Sequence, residues 1–123
     1  MSRILLIEDE EIFVEMFSDS LKRAGFEVTV AKNGAWGIKE ALNGGFDLLI
    51  TDIVMPAMGG EEMIAKLKND PKTQNMPIIV ISASVDDATQ KRIEKMGVSS
   101  FFVKTKITPT ELAEKAKKML EKN

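Results

Sequence analysis

Short apolar runs alternate along the chain with longer stretches in which apolar positions recur every three or four residues. Residues 3–7 form the first run. Ile12, Phe13, Met16, Phe17, Leu21 and Ala24 then recur at helical spacing, up to Gly25. Residues 27–31 alternate as a short strand, the pattern of a sheet edge. Asn33-Gly34 turns the chain, residues 35–42 read as a helix, and Gly44-Gly45 ends it. Residues 47–51 form a third strand whose centre, Leu48-Leu49-Ile50, is apolar on both faces. After a loop over 53–60, the spacing predicts a helix over 61–68, broken by Asn69-Asp70-Pro71. Pro77 opens a strand over 78–81, where its missing N–H does least harm. Ser84, with Asp87 three residues on, predicts an N-cap box for a helix running to about Met96, before Gly97. Residues 101–103 are the last strand. Thr108-Pro109-Thr110-Glu111 then starts a final helix with Leu112, Ala116, Met119 and Leu120 on its inner face.

About five strand–helix units of this kind predict an α/β fold: a doubly wound, five-stranded parallel sheet of order 2-1-3-4-5 with helices on both faces. Residues 1–123 suit a single domain with one core, and no linker or repeat divides them. In that order the first and third strands are neighbours, and chemistry gathers at the carboxyl ends of the strands. There the chain carries Glu8-Asp9, Asp52, Ser82 and Lys104. Carboxylates brought together repel one another unless a cation sits between them. An acidic pair, a lone aspartate, a hydroxyl and a lysine describe a place to build and break an acyl phosphate.

Composition narrows the chemistry. Cysteine and histidine are both absent, which removes thiolate and Ser-His-Asp catalysis, disulfides and His or Cys metal ligands. A net charge of −2 gives no electrostatic reason to expect nucleic acid, and no run approaches the roughly 20 apolar residues of a membrane span. A cytoplasmic location is expected. The eight methionines and Trp36 read as packing residues.

Taken singly, the strand-end residues have plainer readings. Asp9 could cap a helix, Asp52 could satisfy a turn, the Ser82 hydroxyl could bond to backbone, Lys104 could be a solvated charge and Phe101 could be core. Taken together and in order, Leu6-Ile7-Glu8-Asp9-Glu10, Asn33-Gly34, the run from Asp47 to Pro56, Ile81-Ser82-Ala83 and the run from Gly97 to Lys104 resemble the response-regulator receiver domain of two-component signalling, over essentially the whole chain.

The resemblance implies a flavodoxin-like receiver fold and a phosphoacceptor at Asp52, an aspartate carboxylate acting as nucleophile. Glu8 and Asp9 match the acidic pair that holds Mg²⁺, with Asp52 and the backbone carbonyl of Val54 completing the protein ligands. Lys104 matches the cation that meets the phosphoryl group. Ser82 matches the hydroxyl switch and Phe101 the aromatic that repacks when that hydroxyl moves. Implied partners are a sensor histidine kinase or histidine phosphotransfer protein and a downstream protein target. The target would be met on a face formed by residues 85–96, 101–104 and 108–122, by a monomer or a phosphorylation-dependent dimer, with no direct contact to nucleic acid or membrane. Catalysis is expected only on the protein's own phosphoryl group, and no output domain is expected within the chain.

Two positions depart from the family pattern. Thr105 stands where the family usually has proline after a cis bond. A cis bond before a non-proline residue costs about 3 kcal/mol, so either the bond is trans with the lysine placed differently or the strain is retained. Gly59 stands where many relatives carry aspartate. Val54 and Ser84 are expected to set the lifetime of the phosphoryl group. Two alternatives remain: a receiver-like interaction module that is not phosphorylated, which Thr105 favours, and a flavodoxin-like binding domain or small hydrolase with an aspartate nucleophile. Glu8-Asp9-Glu10-Glu11 after the first strand would repel an anionic cofactor, and 123 residues leave no room for a cap over a hydrolase site.

Overall fold

The computed structural model describes residues 1–55, 58–83 and 85–121. Strands β1 (Arg3–Ile7), β2 (Glu27–Ala31), β3 (Leu48–Thr51), β4 (Ile78–Ser82) and β5 (Ser100–Val103) alternate with helices α1 (Glu11–Arg23), α2 (Gly34–Gly44), α3 (Gly60–Lys68), α4 (Asp87–Glu94) and α5 (Pro109–Glu121). The sheet is parallel throughout and runs β2-β1-β3-β4-β5, the order expected from the unit count.

Alternation along the strands builds two apolar layers. Leu5, Ile7, Leu49, Ile78 and Val80 point to one face, where Ala41 of α2, Met63, Ile64 and Leu67 of α3, and Ile93 of α4 cover them. Ile4, Leu6, Leu48, Ile50, Ile79 and Ile81 point to the other, covered by Phe17 and Leu21 of α1 and by Leu112, Ala113 and Ala116 of α5. Both faces of β1, β3 and β4 are therefore dry, which explains their unbroken apolar runs. The apolar residues of α1 divide: Val14, Phe17 and Leu21 are buried, whereas Ile12 and Met16 are 63% and 39% exposed. Helical spacing alone had grouped Ile12 and Met16 with the buried set.

Caps fix the helix starts. Asn33 accepts from the Trp36 amide at 2.7 Å, and Thr108 and Glu111 exchange the two hydrogen bonds of a capping box at 3.0 and 2.9 Å. Helix α4 starts later and ends earlier than its sequence pattern predicts. Asp86, not Ser84, is its cap, accepting from the Thr89 amide at 2.7 Å, and the helix stops at Glu94. Ser84 lies outside the described residues. The carboxylate of Asp86 reaches the third amide beyond it, so the chain leaving β4 extends farther before helix can begin.

At the amino ends of the strands, Arg3 holds several elements at once. Its Nε pairs with Glu27 of β2 at 2.8 Å, its amide donates to Asp47 Oδ2 at 2.8 Å, Nη1 donates to the Gly44 carbonyl at the end of α2, and its guanidinium lies 4.5 Å from the Phe46 ring centroid.

Candidate phosphoacceptor site

At the carboxyl ends the ladder runs one residue past the strands. Glu8 N donates to Ala31 O at 3.1 Å, Asp52 N to Ile7 O at 3.0 Å and Lys104 N to Ser82 O at 2.8 Å. Three residues from distant parts of the sequence are thus held by main-chain bonds before their side chains meet. Register adds Ser82, paired with Val103 beside it.

The side chains of Glu8, Asp52 and Lys104 converge. Lys104 Nζ lies 2.8 Å from Asp52 Oδ2, 2.9 Å from Glu8 Oε2 and 3.0 Å from Glu10 Oε1. Glu8 Oε1 is also 2.8 Å from Nζ, an ion-pair contact off the hydrogen-bonding direction. Glu8, Asp52 and Lys104 are buried; Asp9 and Glu10 are exposed at the rim. Asp52 Oδ1 accepts from the Val54 amide at 3.0 Å, and Glu8 Oε2 accepts from the Glu10 amide at 3.0 Å. Lys104 extends over Phe13 of α1, with Nζ 4.4 Å from the ring centroid.

Burial raises the Glu8 carboxyl above the usual carboxylate range, and the opposing pull of Lys104 and the Glu10 amide is too small to cancel it. Burial pushes Lys104 the other way, but hydrogen bonds to Asp52, Glu8 and Glu10 outweigh it, so the ammonium is held above the ordinary lysine range. The lysine is therefore a fixed cation.

Carboxylate oxygens of Glu8, Asp9, Glu10 and Asp52 all lie within 4.8 Å of one another. The donor set is all oxygen, which suits a hard divalent cation. Among the described residues, two buried side-chain atoms make no hydrogen bond, Glu8 Oε1 and Ser82 Oγ, and both belong to this set of strand-end residues. One is an acceptor oxygen fit for a cation. The other is a hydroxyl able to donate to an oxygen not supplied by the protein.

The sequence-predicted residues fall as follows. Glu8, Asp9, Asp52 and Lys104 are brought together. Ser82 ends β4 on the sheet face shared by Val80 and Phe101, and Phe101 is half-buried opposite Val80, one pleat below the hydroxyl. Val54 meets Asp52 through its amide, and the residue is 61% exposed. Asp9 caps nothing: the N-cap of α1 is Glu10, whose carbonyl accepts from Phe13 and Val14. The Lys104–Thr105 peptide is trans, and the lysine still reaches Asp52. Gly59 is the extended N-cap residue of α3. Sequence reasoning passed over Glu10. Its only signal was its place in an acidic run of four, which does not say which carboxylate turns inward.

Among the described residues, no helix is long and apolar enough to cross a membrane. The family model for the response regulator receiver domain matches residues 4–117. Among curated relatives, the polar-differentiation response regulator DivK of Brucella anthropi is 27% identical over 101 residues, covering 82% of each chain. Three others are much longer: this chain spans 6%, 49% and 14% of their lengths. A response regulator from Burkholderia multivorans is similar in structure, with a TM-score of 0.80 and 31% identity over 98% of this chain and 95% of that one. The receiver domain of the sensor histidine kinase PA1611 from Pseudomonas aeruginosa shares the fold at a TM-score of 0.87 and 19% identity, each chain covered to 98%; it is described with a magnesium ion coordinated in its active-site cleft. With its model matched over nearly the whole chain and the strand order to go with it, this protein belongs to the response regulator receiver domain family of two-component signalling.

Proposed function

We propose that residues 1–123 work as one receiver domain in which Asp52 accepts a phosphoryl group from a phosphohistidine of a sensor kinase or histidine phosphotransfer protein. The observation that carries this reading is the meeting of Glu8, Asp9, Asp52 and Lys104 at one point, with a buried, unpaired hydroxyl at the neighbouring strand end. An Asp52 carboxylate oxygen forms a bond to phosphorus as the donor's P–N bond breaks, and the imidazole leaves with the electron pair and takes a proton from solvent. Lys104 neutralises charge on the phosphoryl oxygens, and Ser82 Oγ donates to one of them. The protein's task is positioning and charge compensation, which is what phosphoryl transfer demands.

Glu8, Asp9 and Asp52, with the Val54 carbonyl, would hold Mg²⁺. Their all-oxygen donor set fits that ion, which when bound supplies positive charge to the phosphoryl oxygens. Output follows from Ser82 and Phe101, which share one sheet face. Engagement of the hydroxyl repacks the aromatic and biases the surface of α4, β5 and α5, where a downstream protein binds. Turnover is limited to the protein's own acyl phosphate.

Incubation with Mg²⁺ and acetyl phosphate, followed by intact-mass measurement, tests the reading. A single phosphoryl adduct, labile to alkali and hydroxylamine and absent from Asp52→Asn, is expected. An equal adduct on the variant would overturn it.

A further inference from the structure

We infer that Glu10 is a positioning residue that competes with the incoming phosphoryl group for Lys104; the inference rests on Asp52 being the phosphoacceptor. A lysine ammonium has three N–H donors and no acceptor. Around Lys104 Nζ three carboxylates each take one, Asp52 at 2.8 Å, Glu8 at 2.9 Å and Glu10 at 3.0 Å. The donors are used up. A phosphoryl oxygen reaches Nζ only when one carboxylate lets go.

The three are unequal. Asp52 stays in place through its amide bond to Ile7 O, and the oxygen not joined to phosphorus remains an acceptor for Nζ. The Glu8 side chain is 0% exposed and has no water to turn into, so it stays beside Lys104. The Glu10 side chain is 55% exposed and can turn into water, losing a contact of the weak kind made by exposed ion pairs. Among the described residues nothing else holds it: Glu10 occupies the N-cap position of α1, and its side chain caps no amide. Lys104 cannot follow it outward, because its amide is bonded to Ser82 O and its ammonium sits over Phe13. Phosphorylation adds negative charge at Asp52, which repels the Glu10 carboxylate. Glu10 is thus in at rest and out after phosphorylation, and the ease of its exit sets how readily Lys104 serves the phosphoryl group.

The test compares the parent chain with Glu10→Gln and Glu10→Ala, using acetyl phosphate and Mg²⁺. Glu11→Gln is the control. It removes the same charge one residue on, where the carboxylate faces Lys32 at 2.9 Å and not Lys104. Glu10→Ala should be phosphorylated about two- to fivefold faster than the parent, the factor an exposed ion pair represents, with Glu10→Gln between them and Glu11→Gln near the parent. The second readout is the ¹H–¹⁵N resonance of the Lys104 ammonium. Glu10→Ala should shift it and speed its proton exchange in the resting protein, and the difference from the parent should vanish once both are phosphorylated. Equal acceleration by Glu11→Gln, or a resonance difference that persists after phosphorylation, would overturn the role of Glu10 alone. Failure of the parent to take up phosphate would instead overturn the phosphoacceptor reading, and this inference with it.

Discussion

The Lys104 ammonium lies 4.4 Å from the centroid of the Phe13 ring, so a lysine set among carboxylates also rests on an aromatic face. That ring stacks on Phe17, with centroids 5.6 Å apart, and Phe17 is fully buried. The site's cation is thereby tied to the core layer between α1 and the sheet. Phe13→Leu keeps most of the packing and removes the quadrupole, and should cost about 1–2 kcal/mol. A double-mutant cycle with Lys104→Met, followed by urea unfolding, isolates the pair. Additive effects would mean that the ring contributes packing alone.

Glu8 makes stability depend on pH. Its carboxyl is raised by burial from the ordinary 4.5, so between that value and its native value the folded state binds more protons than the unfolded state. Stability contributed by this group is present below 4.5 and declines as pH rises through the native value. Lys104 acts in a separate window, since a raised ammonium keeps its contribution up to the ordinary 10.5 and loses it only in more alkaline solution. In EDTA, the urea midpoint of the parent should fall relative to Glu8→Gln as pH rises above 4.5. Parallel curves would contradict the burial effect.

Lys104→Gln leaves the acidic cluster without its internal cation. At neutral pH in EDTA the variant should lose about 3–5 kcal/mol, as expected when one partner of a buried ion pair is removed. If Glu8, Asp9 and Asp52 hold Mg²⁺, the metal should restore part of that loss and raise the melting temperature of the variant more than that of the parent. A calorimetric titration with Mg²⁺, read against Ca²⁺, checks both statements.

Gly60 and Gly59 should behave oppositely, although they are adjacent. A Cβ on Gly60 would lie 2.5 Å from the Cα of Ile53, the residue after Asp52, whereas a Cβ on Gly59 meets nothing within 4 Å among the described residues. Gly60 N also donates to Ile53 O at 3.1 Å, closing the loop that carries the Val54 amide to Asp52. Gly60→Ala should cost about 1–3 kcal/mol and slow phosphorylation, because the loop must move to admit the methyl group. Gly59→Ala should leave both within error, and so should Gly59→Asp. Denaturation and phosphorylation rates on the three variants decide it.

Much of this was legible before any coordinates. Short apolar runs alternating with helix-length segments point to a parallel sheet, and the count of such units predicts the doubly wound order that puts Glu8 beside Asp52. Less legible was whatever depends on the rotation of a segment about its own axis. Ile12, Met16 and Phe17 share helical spacing, yet only Phe17 faces the sheet, because the turn after β1 sets the phase of α1. Glu8, Asp9, Glu10 and Glu11 are alike in composition and differ in direction: Glu8 and Glu10 meet Lys104, while Glu11 meets Lys32. The start of α4 depended on which of several polar residues found an amide within reach, and Asp86 did.

Arg3 fastens β1, β2, the end of α2 and the segment entering β3 at the amino ends of the strands, opposite Asp52. A strand of five residues separates the two ends, about 16 Å of rigid backbone. Rigidity is therefore anchored at one pole and reactivity housed at the other. On the proposed reading, carboxylates can be traded, neutralised or phosphorylated at that pole without loosening the bolt that keeps the strands in register.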